Sequence, residues 1–104
     1  LGDIGLHFPD TSAEFENIDS KILLSRTAAK VREKGYEIGN IDCTIAMQRP
    51  KLRPYIDMMR RALAEAMSVA VDRVSVKATT TERLGFEGEE KGVSATAVAL
   101  VYEK

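Results

Sequence analysis

The stretch IDCTIAM at residues 41–47, followed by the basic loop QRPKLRP at residues 48–54, decides how this sequence folds. Apolar residues occupy every second position of the first part, which is the period of a strand with two different faces. Gly39 predicts a bulge or the beginning of that strand. Pro54 suits the first turn of a helix. A strand that leads through a basic loop into a helix is therefore predicted at the centre of the chain.

Two segments with helical spacing flank this strand. In the first, Asp19 can cap a helix that ends near Gly35, with a one-sided set of residues at Ile22, Leu23, Thr27, Ala28 and Val31. In the second, which begins near Pro54, the apolar positions are Ile56, Met59, Leu63, Ala66 and Met67. Core packing explains these methionines better than a cofactor does.

Two further strands complete the predicted sheet. One runs from about Arg73 to Ala78, and the other, apolar on both faces, runs from Val93 to Tyr102 and is expected to be central or covered at an interface. Residues 1–18 are predicted to be loop. The order helix, strand, helix, strand, short helix, strand predicts an α+β fold (α/β sandwich), with a small mixed β-sheet and helices packed on one face, in one domain over residues 1–104.

Composition limits the classes of function. The 104 residues are 44% hydrophobic and 30% charged, enough for one modest core. Fifteen basic and sixteen acidic residues leave a net charge of -1, so no overall field attracts nucleic acid or a membrane, and phosphate chemistry must be local. One cysteine excludes an internal disulfide, and we find no leader or apolar run of about 20 residues. We expect a reducing, cytoplasmic setting, with a chain that begins in mid-domain.

Three threonines and a carboxylate, Thr79 to Glu82, follow the second strand. Their hydroxyl and backbone N–H groups are suited to an anion. Thr79 and Glu82 also have the spacing of a capping box, in which each side chain satisfies the other's backbone N–H. From this spacing alone, the cap is the favoured interpretation.

Three other features have a candidate chemistry. The loop at residues 47–53 can present Lys51 and backbone groups to a phosphate or base, because loops at the carboxyl ends of strands line ligand crevices, although a solvated turn is favoured in isolation. Asp3, His7 and Asp10 form too irregular a set to predict a metal site. Cys43 has no neighbouring His or Cys, so it is predicted to be a core residue rather than a nucleophile.

Four stretches occur together: LGDIGLHFPDT, SKILLSRTAAKVREKGYEIGNIDCTI, QRPKL and VSVKATTTERLGF. In this order and spacing they resemble the 2-C-methyl-D-erythritol 2,4-cyclodiphosphate synthases over essentially the whole chain. The resemblance implies a phosphorus–oxygen lyase of the non-mevalonate isoprenoid pathway, which converts 4-diphosphocytidyl-2-C-methyl-D-erythritol 2-phosphate to the cyclic diphosphate and CMP. The 2-phosphate attacks the β-phosphorus intramolecularly, so alignment and charge neutralisation replace a protein nucleophile.

The resemblance also assigns roles to residues. Thr80 is the implied catalytic residue, and Glu82 helps to hold magnesium or manganese between phosphates. Lys51 lies near the phosphates, backbone atoms of its loop recognise cytosine, and Asp3 and Asp10 contact the methylerythritol side. The implied substrate-binding residues are Asp3, Ile4, Gly5, Phe8, Pro9, Asp10, Thr11, Ser12, Met47, Gln48, Arg49, Pro50, Lys51, Leu52, Arg53, Thr79, Thr80, Thr81, Glu82 and Phe86.

A zinc ion and a homotrimer are implied as well. The family's zinc ligands, an Asp-x-His pair and a further His, precede the position of Leu1, so no zinc ligand is predicted in this chain, which is expected to be inactive or poorly folded alone. The trimer forms through the sheets, with active sites between subunits and no nucleic-acid or membrane partner. The setting is the cytoplasm, or the plastid in a plant or alga. One alternative is a non-catalytic trimeric fragment that only binds cytidine nucleotides, and another is an α/β interaction or sensing domain.

Glu89 departs from the family pattern, in which many members carry Arg at this position. The resemblance places that residue and Phe86 at a cavity on the trimer axis. Three copies of Glu89 would repel an anion. We therefore expect this cavity not to bind diphosphates.

Overall fold

The computed structural model of the chain describes residues 1–9, 11, 12, 14, 19–49 and 51–104. The helices in this part of the chain are α1 (Ile4–His7), α2 (Ser20–Glu33), α3 (Ile56–Met67) and α4 (Gly85–Gly88). The strands are β1 (Tyr36–Ala46), β2 (Val74–Thr79) and β3 (Ser94–Glu103). Short 3₁₀ turns, Arg53–Tyr55 and Val71–Arg73, precede α3 and β2. From α2 onward, the predicted order of helices and strands is confirmed.

The strands form one mixed sheet in the order β2-β1-β3. β1 pairs with β2 in parallel and with β3 in antiparallel orientation. The register with β3 shifts between Ile38 and Asn40, so the bulge predicted at Gly39 is confirmed. A Cβ atom at Gly39 would lie 3.1 Å from the Leu100 carbonyl oxygen, so a side chain there would press on the backbone of β3.

The core lies between one face of this sheet and helices α2 and α3. Ile41, Cys43 and Ile45 of β1 pack against it, as their alternation predicts. The buried core residues are Ala28, Ile38, Ala64, Met67, Val74 and Val76. Because both long helices pack on the same side of the sheet, the predicted fold class is confirmed.

Two details of the predicted elements are wrong at the N-terminal side. Residues 4–7 form α1 rather than loop, and Asp3 caps this helix by accepting a hydrogen bond from the Gly5 N–H at 3.2 Å. β1 begins at Tyr36 rather than at Ile41, because the bulge at Gly39 lets the pairing with β3 continue through a residue that has no side chain.

The helical faces also differ in part from the prediction. Ile22 is 46% exposed, and Leu24 packs against the core in its place, so the buried stripe of α2 follows Leu24, Ala28 and Val31. In α3, Ala64 is buried in addition to the predicted apolar positions. A helix turns by 100° per residue, so an error of one or two positions in the stripe moves a residue from core to solvent.

β3 is an edge strand, so of its two predicted placements, central or covered at an interface, the central one is wrong. Ala97 and Ala99 pair with core-facing residues of β1, which places Val98 and Leu100 on the opposite face of the sheet. These two side chains are 67% and 62% exposed. We call this surface the outer sheet face. Lys77 and Asp42 also lie on this face, with Lys77 Nζ 2.7 Å from Asp42 Oδ1. The hydrogen bond from Lys77 lowers the pKa of the Asp42 carboxyl.

A polar network joins the ends of α2 and α3 to the start of β1. Arg32 donates from Nε to the Glu37 carboxylate at 2.9 Å and from a terminal nitrogen to the Met67 carbonyl at 2.7 Å. The Glu37 carboxylate also accepts from the Ile38 N–H at 3.0 Å. The backbone hydrogen bond from Ile38, followed by that from Arg32, lowers the pKa of Glu37.

We expect Glu37→Gln to reduce stability most near neutral pH. Because the folded-state pKa is lowered, ionised Glu37 stabilises the fold above its ordinary pKa of about 4.3, and this stabilisation is lost as the pH falls through the folded-state value. Thermal unfolding of both proteins between about pH 7 and about pH 3 measures the difference. The control is Glu33→Gln, which changes an exposed carboxylate at the end of α2, four residues before Glu37. A difference between wild type and Glu37→Gln that stays constant with pH would contradict the prediction.

Candidate functional site

Two site-forming segments start from the same edge of the sheet. β1 and β2 are parallel, with Ala46 opposite Thr79, so their carboxyl ends lie side by side. The Met47 N–H donates to the Thr79 carbonyl at 3.1 Å and extends the pairing by one residue. The basic loop at residues 47–53 and the threonine segment at residues 79–82 therefore begin next to each other.

A cleft of about 210 Å³ lies between these segments. Its lining residues are Met47, Gln48, Lys51, Leu52, Arg53, Ala78, Thr79 and Thr80. Seven of these residues were predicted to bind substrate. Ala78 was not predicted, because nothing distinguishes it from the other apolar residues of its strand. The structure thus brings together two predicted segments that are separated by 25 residues of chain. We call this site the carboxyl-end cleft.

The carboxyl-end cleft is lined by positive charge. Lys51 and Arg53 contribute side chains to it, and no Asp or Glu is among its lining residues. Within the described part of the chain, neither cation has a carboxylate within 4.0 Å. Although the whole chain has a net charge of -1, this edge is suited to an anion.

Gln48 supplies a polar group without a partner. Its Oε1 atom is buried and accepts no hydrogen bond from any described residue. An unsatisfied buried acceptor costs roughly 1–3 kcal/mol. A ligand N–H group that reached this oxygen would remove that cost.

Arg49 points away from the cleft and pairs with Glu90, which follows α4. Its Nε lies 2.9 Å from Glu90 Oε1, and the two side chains are 76% and 48% exposed. A pair this exposed contributes less than about 1 kcal/mol. The structure therefore places Arg49, which was predicted to bind substrate, as a link between the basic loop and the segment after α4.

The threonine segment does not cap a helix, so the capping-box prediction is wrong. α4 begins at Gly85, with Leu84 at the N-cap position. Glu82 and Arg83 have φ angles of 54° and 65°, in the left-handed region, so neither belongs to a right-handed helix that Thr79 could cap. The Glu82 N–H instead points to Thr80 Oγ1 at 3.4 Å. The Glu82 carboxylate is exposed and has no ion-pair partner in the part of the chain that the structure describes.

The N-terminal segment lies far from the cleft of its own chain. Leu1 and His7 line a groove with Tyr36, at the start of β1, and Lys30 Nζ lies 5.8 Å from the Phe8 ring centroid. An eleven-residue strand spans roughly 35 Å, so this segment and the cleft are at opposite ends of β1. The described residues of this segment predicted to bind substrate but absent from the cleft are Asp3, Ile4, Gly5, Phe8, Pro9, Thr11 and Ser12. The predicted Asp10 and Pro50 lie outside the described residues.

Phe86 and Glu89 also lie outside the cleft lining. Phe86 is 51% exposed, and its ring lies beside Gly92. Glu89 pairs with Lys91 at 2.9 Å. Among the described residues, no three side chains of His, Cys, Asp or Glu are grouped to hold a metal ion, and no helix is long and apolar enough to cross a bilayer.

Comparison with known proteins agrees with this architecture. A sequence model of the YgbB family matches residues 1–102. The chain belongs to the YgbB family. A relative from Parabacteroides distasonis, named 2-C-methyl-D-erythritol 2,4-cyclodiphosphate synthase, is 58% identical over 101 residues, which are 97% of this chain and 63% of the relative. The chain thus spans less than two thirds of that protein's length. The resemblance stated from the sequence is confirmed.

Solved structures of the YgbB family have the same fold. The bifunctional IspDF of Campylobacter jejuni is 40% identical with a TM-score of 0.89, over 97% of this chain and 27% of the longer one. IspF of Plasmodium falciparum in a CDP complex is 29% identical with a TM-score of 0.84, over 99% of this chain and 61% of that one.

Cys43 of this YgbB-family chain is a core residue, as predicted. Its side chain packs against the core cluster, and burial, followed by the charge of Asp42, raises the pKa of its thiol. A raised pKa lowers the fraction of reactive thiolate.

We therefore expect Cys43 to react slowly with a disulfide reagent such as Ellman's reagent at about pH 8, close to the ordinary thiol pKa of about 8.5. Unfolding in guanidinium chloride removes the burial and should accelerate the reaction, because an exposed thiol ionises more readily and is accessible to the reagent. The absorbance of the released thiolate gives both rates. Equal rates in the folded and unfolded chain would show that Cys43 is accessible and contradict this assignment.

Proposed function

We propose that the chain carries the nucleotide-binding half of a 2-C-methyl-D-erythritol 2,4-cyclodiphosphate synthase. The enzyme converts 4-diphosphocytidyl-2-C-methyl-D-erythritol 2-phosphate to the cyclic diphosphate and CMP. The observation that carries this proposal is the carboxyl-end cleft, which is lined by two cations without a carboxylate partner among the described residues and by Thr79 and Thr80. The names of the relatives, 50–58% identical over nearly the whole chain, support the reaction.

The cleft is suited to the cytidine end of this substrate. Its volume of about 210 Å³ is smaller than the roughly 300–1,000 Å³ of a site for a whole drug-sized ligand, so it holds only part of the substrate. The exocyclic amine of cytosine is a hydrogen-bond donor, which the unpaired Gln48 Oε1 can accept. Lys51 and Arg53 then lie where a diphosphate attached to the nucleoside needs cations. The CDP complex of the P. falciparum protein agrees with such a ligand.

The reaction needs alignment more than protein nucleophiles. A 2-phosphate oxygen forms a bond to the β-phosphorus, the bond from this phosphorus to the bridging oxygen of CMP breaks, and CMP leaves with the electron pair. The Thr80 hydroxyl, at the cleft wall, is placed to donate a hydrogen bond to a phosphoryl oxygen as its negative charge develops. Holding the two phosphates in line removes most of the entropic part of the barrier.

We propose that a magnesium or manganese ion binds beside the cleft, at Glu82, which follows the lining residue Thr80 but does not itself line the cleft. Magnesium usually keeps several waters and binds one or two carboxylates together with substrate phosphates. The exposed Glu82 carboxylate, without an ion-pair partner among the described residues, is one such ligand. When bound, the ion would neutralise phosphate charge. Zinc, which the relatives' family implies, would have its ligands in residues that this chain does not contain.

We also propose a homotrimer in which the outer sheet faces meet and each active site lies between two subunits. The exposed Val98 and Leu100 give this face an apolar strip that another chain would bury. The position of the N-terminal segment supports the shared site. Because this segment lies at the far end of β1, Asp3 and its neighbours can approach a carboxyl-end cleft only of another subunit.

Leu100→Asp should dissociate the trimer. A carboxylate buried at the centre of an apolar interface is strongly unfavourable, so we expect the variant to sediment as a monomer of about 11.5 kDa for this chain, while wild type sediments as a trimer. The control is Ser25→Asp, on an exposed position of α2. Analytical ultracentrifugation makes the comparison, and a trimeric Leu100→Asp variant would exclude the outer sheet face as the interface.

Nucleotide binding tests the cleft directly. We expect calorimetric titration to show tighter binding of CDP than of ADP, and Lys51→Ala to weaken CDP binding by roughly tenfold, as for loss of a charged hydrogen bond. Lys34→Ala, which removes an exposed cation at the end of α2, is the control. No preference for CDP over ADP would favour the interaction or sensing domain instead.

An assay of CMP release separates the remaining alternatives. The protein that contains this chain together with the family's preceding segment should convert the substrate, and Glu82→Gln should lower kcat because it weakens the divalent-ion site. Binding of CDP without any turnover by this complete protein would support the non-catalytic cytidine-nucleotide binder.

A further inference from the structure

Gly88, at the end of α4, lies unusually close to the turn at residues 81–84. A Cβ atom at Gly88 would be 2.2 Å from the Arg83 carbonyl carbon, 2.5 Å from the Arg83 Cα and 2.7 Å from Thr81 Oγ1. Real Cβ contacts are essentially never shorter than 3.0 Å. Two of the three atoms belong to the backbone, so rotation of a side chain cannot relieve the contact. The turn therefore packs directly against the backbone of Gly88.

The turn that rests on Gly88 has an unfavourable backbone conformation. Glu82 and Arg83 both have positive φ angles, which residues with a Cβ atom seldom adopt. Two hydrogen bonds close the turn, from the Leu84 N–H to the Thr81 carbonyl at 3.0 Å and from the Thr81 hydroxyl to the Leu84 carbonyl. The Gly88 N–H donates to the same Leu84 carbonyl at 3.1 Å. Such a conformation persists only where the surrounding structure holds it.

We propose that Gly88 is a positioning residue that holds the turn with Glu82 next to Thr80, which lines the carboxyl-end cleft. The inference deepens the proposed function and rests on it. Any side chain at position 88 must push the turn away from α4. The turn carries Glu82 within it and begins next to Thr80, so its displacement moves the proposed ligand of the divalent ion relative to the cleft. The three atoms nearest to a Cβ at Gly88 belong to Thr81 and Arg83, and none belongs to the loop at residues 47–53, which forms the nucleoside side.

Helix propensity predicts the opposite effect of a substitution here. Gly88 has a negative φ angle within α4, where alanine is intrinsically more favourable than glycine. If Gly88 had no steric role, Gly88→Ala would therefore be neutral or stabilising. Gly92 provides a matched control in the same segment, because its Cβ would meet only the ring of Phe86, at 3.1 Å, and this half-exposed side chain can turn aside.

Titration with CDP and with CMP, each with Mg²⁺ and with EDTA, tests the proposal in wild type, Gly88→Ala and Gly92→Ala. We expect Mg²⁺ to strengthen CDP binding in wild type and in Gly92→Ala. The ratio of the CDP affinity with Mg²⁺ to the CDP affinity with EDTA should be roughly tenfold smaller in Gly88→Ala. CMP affinity in EDTA should agree among the three proteins within about twofold. An equal Mg²⁺-dependent gain in Gly88→Ala would overturn the proposal, and a uniform loss of CMP and CDP affinity would show a general structural effect instead.

Amide hydrogen exchange tests the steric part without any ligand. In Gly88→Ala, the Leu84 amide should exchange at least tenfold faster than in wild type, while core amides such as that of Val76 keep their protection. Unchanged exchange at Leu84, or loss of protection throughout the core, would each overturn the positioning role. A wild-type protein that binds no cytidine nucleotide would refute the proposed function, whereas the exchange result would still decide whether Gly88 holds the turn.

Discussion

The parallel pairing of β1 with β2 is the constraint on which the candidate site depends. In an antiparallel pair, the carboxyl ends of the two strands would lie at opposite edges of the sheet. The basic loop would then be separated from the threonine segment by the length of the strands. The parallel register, continued by the hydrogen bond between Met47 and Thr79, brings both segments to one edge. The helix α3 makes this pairing possible, since a parallel connection needs a crossover, and its apolar face buries the same side of both strands.

Basic side chains have different surroundings at the two ends of the sheet. At the start of β1, Arg32 is occupied by Glu37 and by the Met67 carbonyl, so its charge serves the fold. At the carboxyl end, Lys51 and Arg53 have no carboxylate partner in the described part of the chain. A chain with almost equal numbers of acidic and basic residues can therefore present a local positive surface, because Lys51 and Arg53 have no carboxylate partner among the described residues, although the neighbouring Arg49 pairs with Glu90.

The sequence predicted what depends on short-range periodicity and missed what depends on backbone handedness or contacts across a turn. Alternation of apolar residues identified the core-facing side of β1, and Gly39 indicated the bulge. The spacing of Thr79 and Glu82 suggested a helix cap, but side-chain spacing does not reveal that Glu82 has a left-handed conformation. Likewise, the ion pair of Arg49 with Glu90 joins residues more than 40 positions apart, and no local pattern indicates it.

The proposed role of Gly88 illustrates why the threonine motif alone is insufficient for a site. Three threonines and a glutamate after a strand supply oxygen atoms, yet without support they would adopt the more favourable capping conformation that their spacing suggests. The left-handed turn keeps the Glu82 carboxylate out of a cap, where it would be occupied by a backbone N–H, and leaves it available to an ion. A glycine six residues later, with no side chain to displace that turn, is therefore as necessary to the proposed chemistry as the residues that would touch the phosphates.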